Sequence, residues 1–138
     1  MLFRSNQGQS HQFMAQLEAD LSRLVIAGVV LSGPRLFVVE QSSQGVRAEA
    51  SDLVPPQIRP EYLLADLQLA FAPREALERA YAGTEWSLFE NSDTRVLRQR
   101  GRDVAVVHRG AADPWAAPVD LTNHRYGYAL HVETLERQ

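Results

Sequence analysis

The sequence has no cysteine, which excludes disulfides, thiolate-held metals, iron–sulfur clusters and cysteine nucleophiles. That lack leaves the redox compartment open, because a cysteine-free chain suits the periplasm as well as the cytosol. There is no lysine either: all 14 basic residues are arginine. We read this as compositional bias rather than mechanism. No long apolar run exists. The longest stretch free of polar residues is Leu24–Leu31, eight residues, against about 20 for a membrane-spanning helix. Met1–Ser10 contains no apolar core of a signal peptide. Gly-rich phosphate loops, a GxSxG nucleophile elbow and a zincin-like histidine pair are all missing. Excess positive charge is missing too. The net charge of -3 argues against a whole-molecule nucleic-acid binder, since phosphate neutralisation needs a basic surface.

What is present fits one globular domain. The chain has 138 residues, 45% of them hydrophobic and 22% charged, enough for one core and a cavity beside it. Met1–Ser5 reads as a non-native leader. We therefore expect a single domain over residues 6–138, with the native N-terminus upstream of Asn6.

Ser10–Ala19 alternates polar and apolar residues, the period of a half-buried strand. Asp20–Ser22 reads as a turn. Arg23–Leu31 is apolar on both faces, which suits an interior strand. Ser32-Gly33-Pro34 ends it. Arg35–Gln41 and Val46–Ala50 complete four strands with short links, an antiparallel meander. Leu53–Pro60 holds three prolines and reads as a linker. Pro60 and Glu61 suit a helix start. In Tyr62–Phe71, Leu63, Leu64, Leu67, Ala70 and Phe71 share one face. Leu69 and Tyr62 fall off that face, so the helix is apolar nearly all round and expected to be buried on several sides. Pro73 starts a second helix, Arg74–Tyr81, with Leu77, Ala80 and Tyr81 inward and Gly83 as the stop signal. Strands follow at Trp86–Glu90, Thr94–Arg100, Val104–His108, Val119–Thr122 and Tyr126–Leu135, the second and third forming a hairpin through Arg100–Asp103. A loop with Trp115 spans Gly110–Pro118. Two strand blocks around a helical pair make an α+β pattern.

The chemistry-bearing residues are few. His124 falls in a turn, where it stands as a base beside Asp120 or as a turn histidine bonded to backbone. His11 and His131 lie on terminal strands whose pairing would bring two imidazoles together, and two ligands do not make a metal site. Glu75 and Glu78 read as solvated. Asp66 interrupts the apolar helix, and we expect it at a solvent-facing edge, because a buried carboxylate needs a partner. Between Arg95 and Arg109 lie five arginines against one acid, a local balance of +4. Arginine forks match phosphate oxygens. Arg98, Arg100 and Arg102 are thus candidates for contact with anionic headgroups; the plainer reading is a solvated hairpin. The large apolar side chains form either an ordinary core or the lining of a cavity, and periodicity does not separate the two.

The segment Tyr62-Leu-Leu-Ala-Asp-Leu-Gln-Leu-Ala-Phe-Ala-Pro-Arg-Glu-Ala-Leu-Glu-Arg-Ala-Tyr-Ala-Gly83 resembles the helix–Pro–helix–Gly segment of LolB, the outer-membrane lipoprotein receptor. Leu31–Phe37 resembles that family's second-to-third strand turn, and Val119–Thr134 its last two strands. The start Gly8–His11 and the Asn-His-Arg-Tyr-Gly-Tyr run at Asn123–Tyr128 are similar to LolB-like lipoproteins encoded in aryl-polyene pigment clusters. The resemblance covers Gly8–Glu136. It implies an incomplete antiparallel β-barrel of the LolA/LolB type, with helices inserted after the fourth strand and covering the concave face. It also implies a cysteine-anchored lipoprotein on the periplasmic face of the outer membrane. The sequence departs there, having no lipobox, and the candidate for the family's protruding apolar loop, Ser42–Gly45, is short and polar. From this we expect a non-enzymatic carrier of lipoprotein acyl chains or a lipid-like aryl-polyene molecule. The expected apolar lining is Phe13, Leu17, Ile26, Phe37, Leu64, Leu67, Phe71 and Trp86. We expect no metal, no cofactor and no nucleic-acid partner, with the outer-membrane surface and an envelope protein as possible contacts. The alternative is a structural or interaction protein with a solid core and no ligand.

Overall fold

Short-range turn chemistry sets most of the topology. Arg100 and Gly101 both have positive φ, 52° and 83°, the two-residue type I′ geometry whose twist matches that of the paired strands. This turn joins β8 (Thr94–Gln99) to β9 (Arg102–Arg109). The computed structural model describes residues 2–5, 10–19, 23–29, 35–52, 54 and 58–134. The turn expected at Asp20–Ser22, the break at Ser32–Pro34, half of the proline linker and the start Gly8-Gln9 lie outside the described residues.

The chain divides into two compact units, residues 12–66 and residues 67–138 with 2–11. The first contains β3 (Met14–Ala19), β4 (Arg23–Val29), β5 (Arg35–Ser42) and β6 (Gly45–Ala50). They form an antiparallel sheet in chain order, the expected meander. The β-branched, two-sided apolar β4 is interior, as read. Register places Leu17, Ile26, Val39 and Ala48 in one row across the strands, and Ala15, Gly28, Phe37 and Ala50 in the next. Residues directly opposite each other share a face. One face is therefore almost wholly apolar, while Gln16, Glu18, Glu40, Arg47 and Glu49 lie on the other.

The division between the units falls inside α1 (Pro60–Phe71). Proline fixes φ for the first turn, and the amides of Tyr62 and Leu63 donate to the Arg59 carbonyl. Pro73 then heads α2 (Arg74–Tyr81), and Gly83, at φ 74°, lies just beyond it. Leu77 is the buried residue of α2; Ala80, expected inward, is exposed. No described helix is long and apolar enough to cross a membrane.

The second unit carries β7 (Trp86–Glu90), β8, β9, β10 (Val119–Asn123) and β11 (Tyr128–Val132), an antiparallel meander of five strands. β1 (Leu2–Ser5) pairs with β11, and β2 (Ser10–Gln12) follows β1. Among the described residues the strands thus form two antiparallel sheets and no closed barrel. Two expectations are corrected. Ser10–Ala19 is not one strand: it is broken at Phe13 into β2 and β3, which belong to different sheets. Period-2 alternation runs unbroken through Phe13 and says nothing about which ladder a strand joins. The last strand begins at Tyr128 rather than Tyr126, because Gly127 adopts φ 74° and belongs to the turn.

Candidate functional site

The apolar face of the first sheet is built around a missing side chain. A Cβ on Gly28 would lie 2.2 Å from Cε1 of Phe37, so the Phe37 ring lies directly over the glycine backbone. Phe13 meets that ring edge-on, with centroids 5.5 Å apart. Ile26 and Val39 are wholly buried. Toward the sheet edges the same face opens: Leu17 on β3 is 43% exposed and Val46 on β6 is 52% exposed. Leu17 was expected to be enclosed. Its exposure follows from its strand, since among the described residues β3 is an outer strand of this sheet with no strand on its far side.

The expected lining residues therefore divide. Phe13, Leu17, Ile26, Phe37 and Leu64 lie in the first unit; Leu67, Phe71 and Trp86 lie in the second. Leu64 and Leu67 are buried. Phe71 packs on Trp115 with centroids 4.3 Å apart, which gives the Gly110–Pro118 loop an apolar anchor. Trp86 lies beneath the Arg125 guanidinium, 5.7 Å away. The helix is buried nearly all round, Leu69 included. Asp66 is buried too, correcting the expected solvent-facing edge: the exposed positions of α1 are Glu61 and Ala65, and Asp66 lies on its covered side.

The arginine run also divides. Side chains three apart on a strand point to opposite faces. Arg98 therefore faces outward, and Arg95 turns inward opposite Glu90. Arg95 donates through Nε to Glu90 Oε1 at 2.7 Å and through one Nη to the carbonyls of Leu69 (2.9 Å) and Ala72 (2.6 Å). Its side chain is 4% exposed. It clamps the carbonyl end of α1 to the sheet, where the helix dipole favours a cation. Arg109 enters the same cluster, with an Nη 3.6 Å from Glu90 Oε1. Its Nε and other Nη are buried without a hydrogen-bond partner among the described residues, as is Glu90 Oε2, which keeps only a 3.7 Å ion pair with Arg74. Burial, then the charge of Arg95, lowers the Arg109 pKa against the pull of Glu90. Burial likewise pushes the Tyr81 phenol up, with Arg95 acting the other way. Composition alone did not reveal this cluster; the signal lay in the spacing of Glu90, Arg95 and Arg109 across a hairpin.

Three arginines remain at the hairpin tip. Arg98 Nε donates to Asp103 at 2.8 Å, Arg100 Nε donates to Glu85 at 2.7 Å, and Arg102 is exposed. Next to the tip is the β10–β11 turn. A register shift after Leu97 leaves Val104 as an extra residue on β9, and its carbonyl accepts the amides of His124 (2.9 Å) and Arg125 (3.4 Å). Asn123 is buried; its Oδ1 accepts the Tyr126 amide at 2.9 Å and its Nδ2 donates to the Tyr128 hydroxyl at 3.1 Å.

Register corrects the reading of His124 as a base beside Asp120 and the pairing of His11 with His131, while His124 does lie in a turn with its amide bonded to the Val104 carbonyl. Asp120 lies opposite His131, not beside His124, and bonds His131 Nδ1 at 2.7 Å, while Glu133 bonds Nε2 at 3.0 Å. Hydrogen bonds to Glu133 and then Asp120 raise the His131 pKa. His124 is exposed in the turn. The strand beside β11 is β1, with Leu2 opposite His131, so β2 with His11 is one strand further away. No cluster of three or more metal-ligating side chains occurs among the described residues.

By architecture the chain is an α+β protein, with two antiparallel sheets and two helices among the described residues. The family model described as "Protein of unknown function (DUF3261)" matches residues 1–136, and the chain belongs to that family. No curated protein and no solved structure matches it.

Proposed function

We propose that this protein binds, without catalysis, the acyl chain of a lipoprotein or a lipid-like aryl-polyene molecule, at the periplasmic face of the outer membrane, as a LolB-like carrier. The carrying observation is the apolar face of the β3–β6 sheet, whose buried centre at Ile26 and Phe37 continues into exposed apolar side chains at both edges. An apolar surface running from core to solvent is a path along which a flexible chain enters. Further support comes from the LolB-like helix–Pro–helix–Gly segment, which here folds as α1, Pro73, α2 and Gly83. In this reading Phe13, Leu17, Ile26, Phe37 and Leu64 form the acyl seat. Each buried CH₂ contributes about 0.8 kcal/mol. An eight-carbon stretch thus gains about 6 kcal/mol before ordering costs, enough for reversible binding and hand-off.

Titration of the purified protein with a fluorescent fatty acid tests this. Saturable binding is expected. Leu17→Glu should weaken it about tenfold or more with the far-UV spectrum unchanged, since Leu17 is partly exposed. Glu18→Gln, on the opposite face, should leave it unaltered. One observation favours the solid-core interaction protein instead: the Phe37 ring occupies the space directly over Gly28. On that reading the wild type binds no probe.

A further inference from the structure

We propose that one end of the second sheet, formed by the start of β7, the β8–β9 turn and the β10–β11 turn, docks on an anionic membrane surface. Register brings the three segments to the same end: Trp86 lies opposite Gln99, Gln99 opposite Arg102, and Asn123 closes its turn opposite Tyr128. Four arginines belong to this end, at positions 98, 100, 102 and 125, with Arg98 on the face of Phe89 and Arg125 on that of Trp86. Asp103 and Glu85 hold Arg98 and Arg100. Arg102 and Arg125 have no carboxylate partner among the described residues. The end is therefore a positive patch on a chain of net charge -3, and that asymmetry orients the molecule toward a negative surface.

The aromatic residues decide the kind of surface. Arg125 lies 5.7 Å from the Trp86 ring centroid and 5.2 Å from that of Tyr126, which is 43% exposed. Rings with an apolar body beside a cation suit the headgroup layer, where one end is wet and the other greasy. Nucleic acid fits less well. Its binding scales with the number of phosphates neutralised, and only two arginines here are uncompensated. Arg125 already lies over one face of each ring, which leaves less aromatic surface for base stacking. The platform is also rigid. The Val104 carbonyl and Asn123 hold the Arg125–Tyr126 backbone, so little ordering cost falls on contact. Two free charges give weak, reversible, salt-sensitive attachment.

None of these residues belongs to the first unit, so this surface and the acyl seat fail or stand separately. The experiment is co-sedimentation of the full chain with vesicles of phosphatidylcholine alone and of phosphatidylcholine with phosphatidylglycerol. Binding is expected only to the anionic vesicles and is expected to vanish at about 1 M salt. Arg102→Ala and Arg125→Ala should each lower the partition coefficient about fivefold, and the double change to Glu should abolish binding. Arg79→Ala, on exposed α2, is the neutral control. Equal binding to both vesicle types, no binding, undiminished binding by the double variant, or preference for a competing single-stranded oligonucleotide would overturn the proposal. Fatty-acid titration of the same variants reads the acyl seat independently.

Discussion

Glu90 is the residue on which the most charge converges. It meets Arg95 from the adjacent strand β8, Arg109 from β9 one strand further on, and Arg74 from α2 at 3.7 Å. Removing it strands two buried guanidinium groups, so Glu90→Ala should cost about 3–5 kcal/mol. Arg109 is different: its Nε and one Nη lack partners, and its removal leaves the shorter Glu90–Arg95 pair intact. Arg109→Leu should therefore be neutral or stabilising. Urea denaturation of both variants separates them, and equal losses would contradict the assignment. His131 sets a weaker, pH-dependent contribution. Its folded pKa lies above the unfolded value, so the stabilisation is fully present below about pH 6.5 and is lost as pH rises through the folded pKa. The site is partly exposed, and its contribution is at most about 1 kcal/mol. His131→Gln should be less stable than wild type near about pH 5.5 and indistinguishable near about pH 9; the opposite trend would refute the ion pair. None of these partnerships was legible in advance. The sequence shows a histidine and an aspartate eleven residues apart, and only strand register makes them neighbours.

Elements were more readable than contacts. Pro60, Pro73 and Gly83 punctuate the helical region by local stereochemistry, and α1 and α2 lie where those residues place them. The β8–β9 hairpin was legible for the same reason, though its turn is only Arg100-Gly101 and β9 starts at Arg102 rather than Val104. The failure at Phe13 is of another kind, because alternation is indifferent to which sheet a strand joins. So is that of the inward arginines: composition counted Arg95 and Arg109 with the tip, and parity along β8, with pairing across β9, removed them from it. Within the first sheet, the Phe37 ring over Gly28 ties β4 to β5. Gly28→Ala should push that ring off its site and cost about 1–3 kcal/mol. A melting temperature unchanged from wild type would show that Phe37 relaxes at no cost.

At the scale of the whole molecule, the readings rest on two separately described units. One carries an apolar sheet face, the other a buried charge cluster and a cationic, aromatic end. Membership of the DUF3261 family covers both. The acyl-carrier claim concerns the first, and what co-purifies with the protein tests it most directly. Native mass spectrometry of the protein isolated from its native cells is predicted to show an added mass matching an acyl lipid or a polyene, and that mass should be lost in Leu17→Glu. A bare polypeptide mass under conditions that preserve known lipid adducts of other carriers would contradict the account.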